Sequence, residues 1–240
     1  FAFLDCQRSF AALLCSEPCH FLYRRTADLQ PKLVFTEKSR NMEEYNILRM
    51  QDRLKEYLTR DRFIHTQGVM YTATALAMCH GEDLVKAQVA GLLHDCAKCI
   101  PTGKKLKICK KNDIALTKWE EENEALLHAK VGVYIAKKKY GITDPEILNA
   151  IRYHTTGKAD MMPLEKIVYI ADYIEPGRYK AKNLPEVRHL AFQDLDETMY
   201  RILRDTILYL SGSANTMDPS TTEAYEYYQK LHNERKGANT

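Results

Sequence analysis

No stretch of this 240-residue chain is long and apolar enough to cross a membrane as a helix. No segment alternates apolar and polar residues for long enough to read as a strand, and there is no internal repeat or low-complexity tract. Net charge is low, +3, so global charge argues for no nucleic-acid partner. Paired Cys-x-x-Cys motifs of the zinc type are missing. The seven cysteines are an odd number in a chain of ordinary size, which argues against a disulfide framework and for a reducing, cytoplasmic setting. Cys96-Ala97-Lys98-Cys99 has the spacing of half such a motif. With no second half, Cys96 and Cys99 are expected to pack rather than bind.

What remains is helical texture. Apolar residues recur at helical spacing from Ile47 to Leu58, with a break expected at Thr59-Arg60-Asp61. Further helices are expected over residues 62–80, 82–97 and 106–111, and one long helix over 119–140. Asp144-Pro145 opens the next, through a capping carboxylate followed by proline in the first turn. Residues 163–174 follow, then a looser segment over 178–189, a long helix over 191–210 and a last one over 221–233. Residues 42–240 thus read as one all-α domain, a helical bundle. Residues 1–41 differ: they hold three cysteines and the patch Ala11-Ala12-Leu13-Leu14 without a clear amphipathic period. They are expected to be a poorly ordered extension, a remnant of another reading frame or a neighbouring domain, with Met42 near a natural start.

Gly91-Leu92-Leu93-His94-Asp95-Cys96-Ala97-Lys98 carries the first chemistry. An apolar run ends in a neutral nitrogen donor and an anionic oxygen side by side, two ligand types that suit a divalent ion. Two ligands do not make a site. Other helices offer His65, His128, His154 and Asp172, and in a bundle such side chains can converge from facing helices. Singly, each histidine reads as a cap or a core residue. Asp95 and Asp172 are harder to dismiss, because a carboxylate in an apolar helix face needs a cation or donors. His20, His80, His189 and His232 read as surface or packing residues. The lysines from Lys98 to Lys111 read mainly as a solvated face, with Lys98 close enough to the pair to reach an anionic substrate.

His65, His94-Asp95 and Asp172 match the H…HD…D pattern of HD-domain metal-dependent phosphohydrolases. The match extends to Arg62-Phe63-Ile64-His65-Thr66, Gly91 to Lys98, His128-Ala129-x-Val131-Gly132, Ile151-Arg152-Tyr153-His154-Thr155-Thr156-Gly157 and Ile170 to Arg178. From Met42 onward the chain resembles the YqeK family, bacterial symmetrical bis(5′-nucleosyl)-tetraphosphatases. The resemblance implies an HD-domain bundle around a metal, most often iron, held by His65, His94, Asp95 and Asp172; manganese or another transition metal also suits these ligands. It implies cleavage of diadenosine tetraphosphate, and of related dinucleoside polyphosphates, in the middle to give two ADP. Asp95 and Lys98 would serve catalysis. Arg62, His128, His154 and Arg178 would face the substrate, or the two histidines would complete a second metal site. Residues 215–220 would lie near the nucleotide, and a homodimer is a family expectation. Spacing leaves other HD hydrolases open, acting on a dNTP, a nucleoside monophosphate, a cyclic nucleotide or an alarmone, as well as a non-catalytic nucleotide-binding regulator. A nucleic-acid binder using the lysine cluster is the weakest alternative, since no stacking aromatics accompany those lysines.

Overall fold

The structure is a computed structural model that describes residues 45–123, 126–212 and 217–238. The expected extension over 1–41 lies outside the described residues, as do His20 and residues 215 and 216. The helices are α1 (Ile47–Lys55), α2 (Arg60–His80), α3 (Leu84–Leu93), α4 (Thr102–Lys111), α5 (Lys118–Glu122), α6 (Leu127–Tyr140), α7 (Pro145–Tyr153), α8 (Pro163–Ile174), α9 (Leu184–Ala191), α10 (Leu195–Ser211) and α11 (Pro219–Ala238). No strand occurs among the described residues, in keeping with the all-α expectation. None of the described helices is long and apolar enough to cross a membrane.

α8 is the central helix, packed against α2, α3, α7, α9 and α10. Leu76, Leu92, Leu93, Ile151, Ile167 and Ile170 are fully buried around it, each contributing about 1.5–3 kcal/mol of transfer free energy. α2 and α3 share the most extensive helix pairing. Their close approach depends on Gly91, where a Cβ would come within 2.9 Å of the Met70 Cα. A backbone atom cannot move aside as a side-chain tip can, so glycine at this position sets how near α3 lies to α2.

Local signals explain most boundaries. Thr59, expected in a break, is the N-cap of α2, its hydroxyl accepting the Arg62 N–H. Asp83 caps α3 by accepting the amides of Val85 and Lys86, and Asp144 caps α7 as expected, with Pro145 in its first turn. Two expectations change. The long helix over 119–140 is split into α5 and α6, because Asn123 takes a non-helical backbone (φ −120°, ψ 83°). The segment over 178–189 is partly helical, since α9 starts at Leu184 with Pro185 in its first turn. Proline in the first turn is the local signal for this helix start.

Candidate active site

The site forms where helix ends meet. His65 lies in the second turn of α2, His94 follows the last residue of α3, and His128 is second in α6. His154 follows the last residue of α7, and Asp172 lies near the end of α8. Beyond Leu93 the backbone tightens from i→i−4 to i→i−3 bonds: Cys96 N–H donates to Leu93 O (3.1 Å), Lys98 N–H to Asp95 O (2.9 Å) and Ile100 N–H to Ala97 O (3.2 Å). Residues three apart eclipse in such a turn. Lys98 therefore stands over Asp95, its Nζ 3.9 Å from Oδ1.

Two groups of ligand-type atoms share Asp95. On one side, His94 Nε2 is 3.4 Å and His65 Nε2 3.9 Å from Asp95 Oδ2. Asp172 Oδ1 is 3.1 Å from His65 Nε2 and 3.9 Å from His94 Nε2. On the other side, His128 Nε2 and His154 Nε2 are 3.2 and 3.5 Å from Asp95 Oδ1 and 3.1 Å from each other. Separations of roughly 3–3.5 Å are the edges of a polyhedron built on ligand bonds of about 2.1 Å.

The protons are arranged for a cation. His94 Nδ1 donates to Gly91 O (2.7 Å) and His154 Nδ1 to Ile151 O (2.8 Å), carbonyls that the helix ends leave without a helical partner. A carbonyl only accepts, so Nδ1 carries the hydrogen and Nε2 turns a lone pair inward. Buried His94 Nε2 and Asp95 Oδ1 have no hydrogen-bond partner. Buried acceptors left unsatisfied are what a divalent metal would take up, and three sets of ligand-type atoms lie close enough together to hold one: His65, His94 and Asp95; His94, His154 and Asp172; and Asp95, His128 and His154.

Charge fits as well. Burial favours a neutral Asp95, but the neighbouring His94, His128 and His154 outweigh it and hold the carboxyl well below the usual range. Burial likewise opposes ionisation of Asp172, and His65, His94 and Arg178 outweigh it in turn. Burial pushes the His128 pKa down to about 4 against the pull of Asp95, so the imidazole is neutral near pH 7. Burial, then the nearby Asp95 charge, pushes the Cys96 thiol up to about 12. Cys96 is thus an inert packing residue, as expected.

A cavity of ≈ 580 Å³ opens onto this cluster. Arg62, His65, Lys98, His154, Asp172 and Arg178 line it, while His94, Asp95 and His128 lie buried behind. Arg62 Nη1 donates to Asp95 Oδ2 at 2.8 Å, and Arg178 pairs with Asp172 through both its side-chain carboxylate and its backbone carbonyl. The candidate metal, catalytic and phosphate-facing residues singled out in the sequence therefore fall in one cluster, whereas residues 217–220, expected near the nucleotide, are not among those that line this cavity. His80, His189 and His232 bond elsewhere, to Ala191 O, Gln193 and Glu197.

The profile of the HD domain matches residues 62–177. A symmetrical bis(5′-nucleosyl)-tetraphosphatase of Bacillus subtilis (strain 168) is 38% identical over 174 residues, covering 72% of this chain and 92% of that protein. Its Staphylococcus aureus (strain NCTC 8325 / PS 47) counterpart is 36% identical over 185 residues, covering 76% and 94%. This chain belongs to that HD-domain tetraphosphatase family. Family membership extends to the solved fold. A crystal structure described as a predicted HD superfamily hydrolase involved in NAD metabolism, from Clostridium acetobutylicum, superposes with a TM-score of 0.75 at 40% identity, over 78% of this chain and 98% of that one.

Two side chains at the site escaped the sequence reading. Thr155 Oγ1 lies 3.2 Å from His128 Nε2 and 3.1 Å from His154 Nε2. Its place directly after His154 was the available signal. Glu175 Oε1 lies 3.0 Å from His65 Nδ1, a pairing across the chain that no local pattern announces.

Proposed function

We propose that this chain is a metal-dependent hydrolase that cleaves diadenosine tetraphosphate, and related dinucleoside polyphosphates, symmetrically to two ADP. The observation that carries the proposal is the Asp95-centred cluster at the floor of a cavity walled by Arg62, Lys98 and Arg178. Membership in a family whose relatives carry that name supports it.

In this reading His65, His94, Asp95 and Asp172 hold the metal, with iron our choice among the ions such ligands accept. His128 and His154 face the substrate phosphates or complete a second site. The bound metal would supply Lewis-acid stabilisation of phosphoryl charge and a more acidic water. The chain's residues supply the rest. Arg62 and Arg178, both on the cavity lining, reach the phosphate oxygens; a guanidinium can bind two such oxygens at once. Asp95 accepts a hydrogen bond from the attacking water and takes up its proton. The bond from one middle phosphorus to the central bridging oxygen breaks, and Lys98 offsets the charge that gathers on the leaving ADP.

The lining of the cavity also suits a nucleoside. Tyr173, Tyr179 and Leu184 line it, and the Tyr179 ring is 81% exposed at the rim. An aromatic face beside a cationic phosphate site is a platform for a base. Cytoplasmic location and a homodimer also belong to this reading, tested by cell fractionation and light scattering.

The experiment is product analysis. Purified protein, a divalent metal and diadenosine tetraphosphate should yield ADP as the sole nucleotide product. AMP with ATP, or no turnover with any of iron, manganese or cobalt, would sink the proposal.

A further inference from the structure

His94 and His154 each donate Nδ1–H to a carbonyl three residues earlier, which is free because each histidine follows the end of its helix. His65 cannot use that device. It sits inside α2, where the preceding carbonyls belong to the helix ladder. Something else must fix its proton and its ring, and a carboxylate stands there.

We propose that Glu175 is a positioning residue for His65, held in place by a slot that Gly68 and Gly177 leave open. Glu175 is 4% exposed. Both carboxylate oxygens are in use: Oε1 is 3.0 Å from His65 Nδ1, and Oε2 accepts the Gly177 N–H at 2.5 Å. Because an ionised carboxylate only accepts, Nδ1 is the donor, and Nε2 points at Asp172 Oδ1 with its lone pair. The slot is specific in shape. A Cβ on Gly68, in the next turn of α2, would stand 2.6 Å from Oε2, and one on Gly177 would stand 2.9 Å from Oε1. The turn carrying Glu175 is tied from outside the site. Arg188 donates Nε to Ile174 O (2.8 Å) and Nη2 to Glu175 O (3.0 Å) and Arg178 O (2.9 Å). One turn thus sends Glu175 to His65 and Arg178 to Asp172. A glutamine cannot replace the glutamate, since its amide would set a donor against either the His65 N–H or the Gly177 N–H.

The inference rests on the metal reading of the site, and the test separates the two. Manganese(II) is titrated into metal-free wild type, Glu175→Gln and Gly68→Ala, with calorimetric affinity as one readout. Ring ¹⁵N signals of His65 in the metal-free proteins are the other. Gly68→Ala leaves every ligand and Glu175 itself in the chain. It adds only a methyl group to a helix, where alanine is intrinsically favoured by about 1 kcal/mol. Wild type should show the Nδ1–H form of His65. Both variants should lose that fixed form and bind manganese about 10–100-fold more weakly, the usual effect of losing a partner behind a ligand. Variants with lower melting temperatures but wild-type affinity and an unchanged His65 spectrum would make Glu175 merely structural and overturn the inference. A wild type that binds no manganese would overturn the metal reading and this inference with it.

Discussion

His94 and His154 meet edge to face, their ring centroids 5.0 Å apart at 84°, and each is locked by the same bond to the end of its own helix. Their Nε2 atoms serve different sides of Asp95, which makes Asp95 the hinge of the cluster. Losses should therefore be unequal. Asp95→Asn should remove bound metal and activity together, because both sides depend on that carboxylate. His94→Ala and Asp172→Ala should do nearly the same, with activity falling by more than about a hundredfold, the upper range for supporting residues alone. On the proposed ligand set of His65, His94, Asp95 and Asp172, His128→Ala should keep the metal and lose turnover. Elemental analysis beside a product assay reads this. Full metal content and activity in His94→Ala or Asp172→Ala would place the site elsewhere.

Gly91 ties stability to the same place. In Gly91→Ala the new methyl meets the Met70 backbone rather than a yielding side chain. Thermal unfolding should show a loss of about 1–3 kcal/mol, the usual cost of overpacking. Gly103→Ala is the control, because nothing lies within 4 Å of its Cβ position. That helical alanine should leave stability unchanged or raise it. Equal melting of Gly91→Ala and wild type would show that α3 can retreat from α2 at no cost.

A third expectation concerns acid. Burial of Glu120 favours its neutral form, but hydrogen bonds from Lys130 and the Thr117 amide, with the charge of Arg152, outweigh it and lower its pKa. A carboxyl depressed in the folded state adds stability that is fully present above its unfolded pKa, about 4.3. That stability is lost as pH falls through the lower folded value. Glu120→Gln should therefore be less stable than wild type at pH 7 by about 1.5–3 kcal/mol, the range for hydrogen bonds to a charged group. Below about pH 4 the gap should narrow. Urea titrations across pH measure it, and a gap constant with pH would deny Glu120 this role.

How much of this was legible follows from where each signal lives. His94-Asp95 and Asp172 stood out because a carboxylate in an apolar stretch is chemically conspicuous without knowledge of the fold. The capped start of α7 was equally local, a carboxylate then a proline. The split between α5 and α6 was not. Glu120 turns inward to Lys130 and Arg152, and that long-range pairing accompanies a chain break where apolar periodicity alone would continue the helix. Glu175 was invisible for the same reason. Beside Pro176 it reads as the end of a helix, and its meaning comes from His65, 110 residues away. Lys98 was singled out among the lysines by its nearness to His94-Asp95 in sequence, and the tight turn beyond α3 is what sets it over Asp95.

Tyr179 offers the last test, one that separates binding from chemistry. Its ring is exposed at the cavity rim beside Arg178, which pairs with Asp172. A base stacked on the ring would leave its phosphates beside the cluster. Stacking of a base on an aromatic side chain is worth about 1–3 kcal/mol by alanine substitution, which is about 5–150-fold in binding. Tyr179 is not one of the ligand-type residues of the cluster, so its loss should not change the reacting groups. Tyr179→Ala should therefore raise KM for diadenosine tetraphosphate by such a factor with kcat nearly constant, and Tyr179→Phe should restore it, since stacking needs the ring and not the hydroxyl. Steady-state kinetics decide. A fall in kcat at constant KM would tie Tyr179 to the phosphates, and no change in either would move the base to another wall of the cavity.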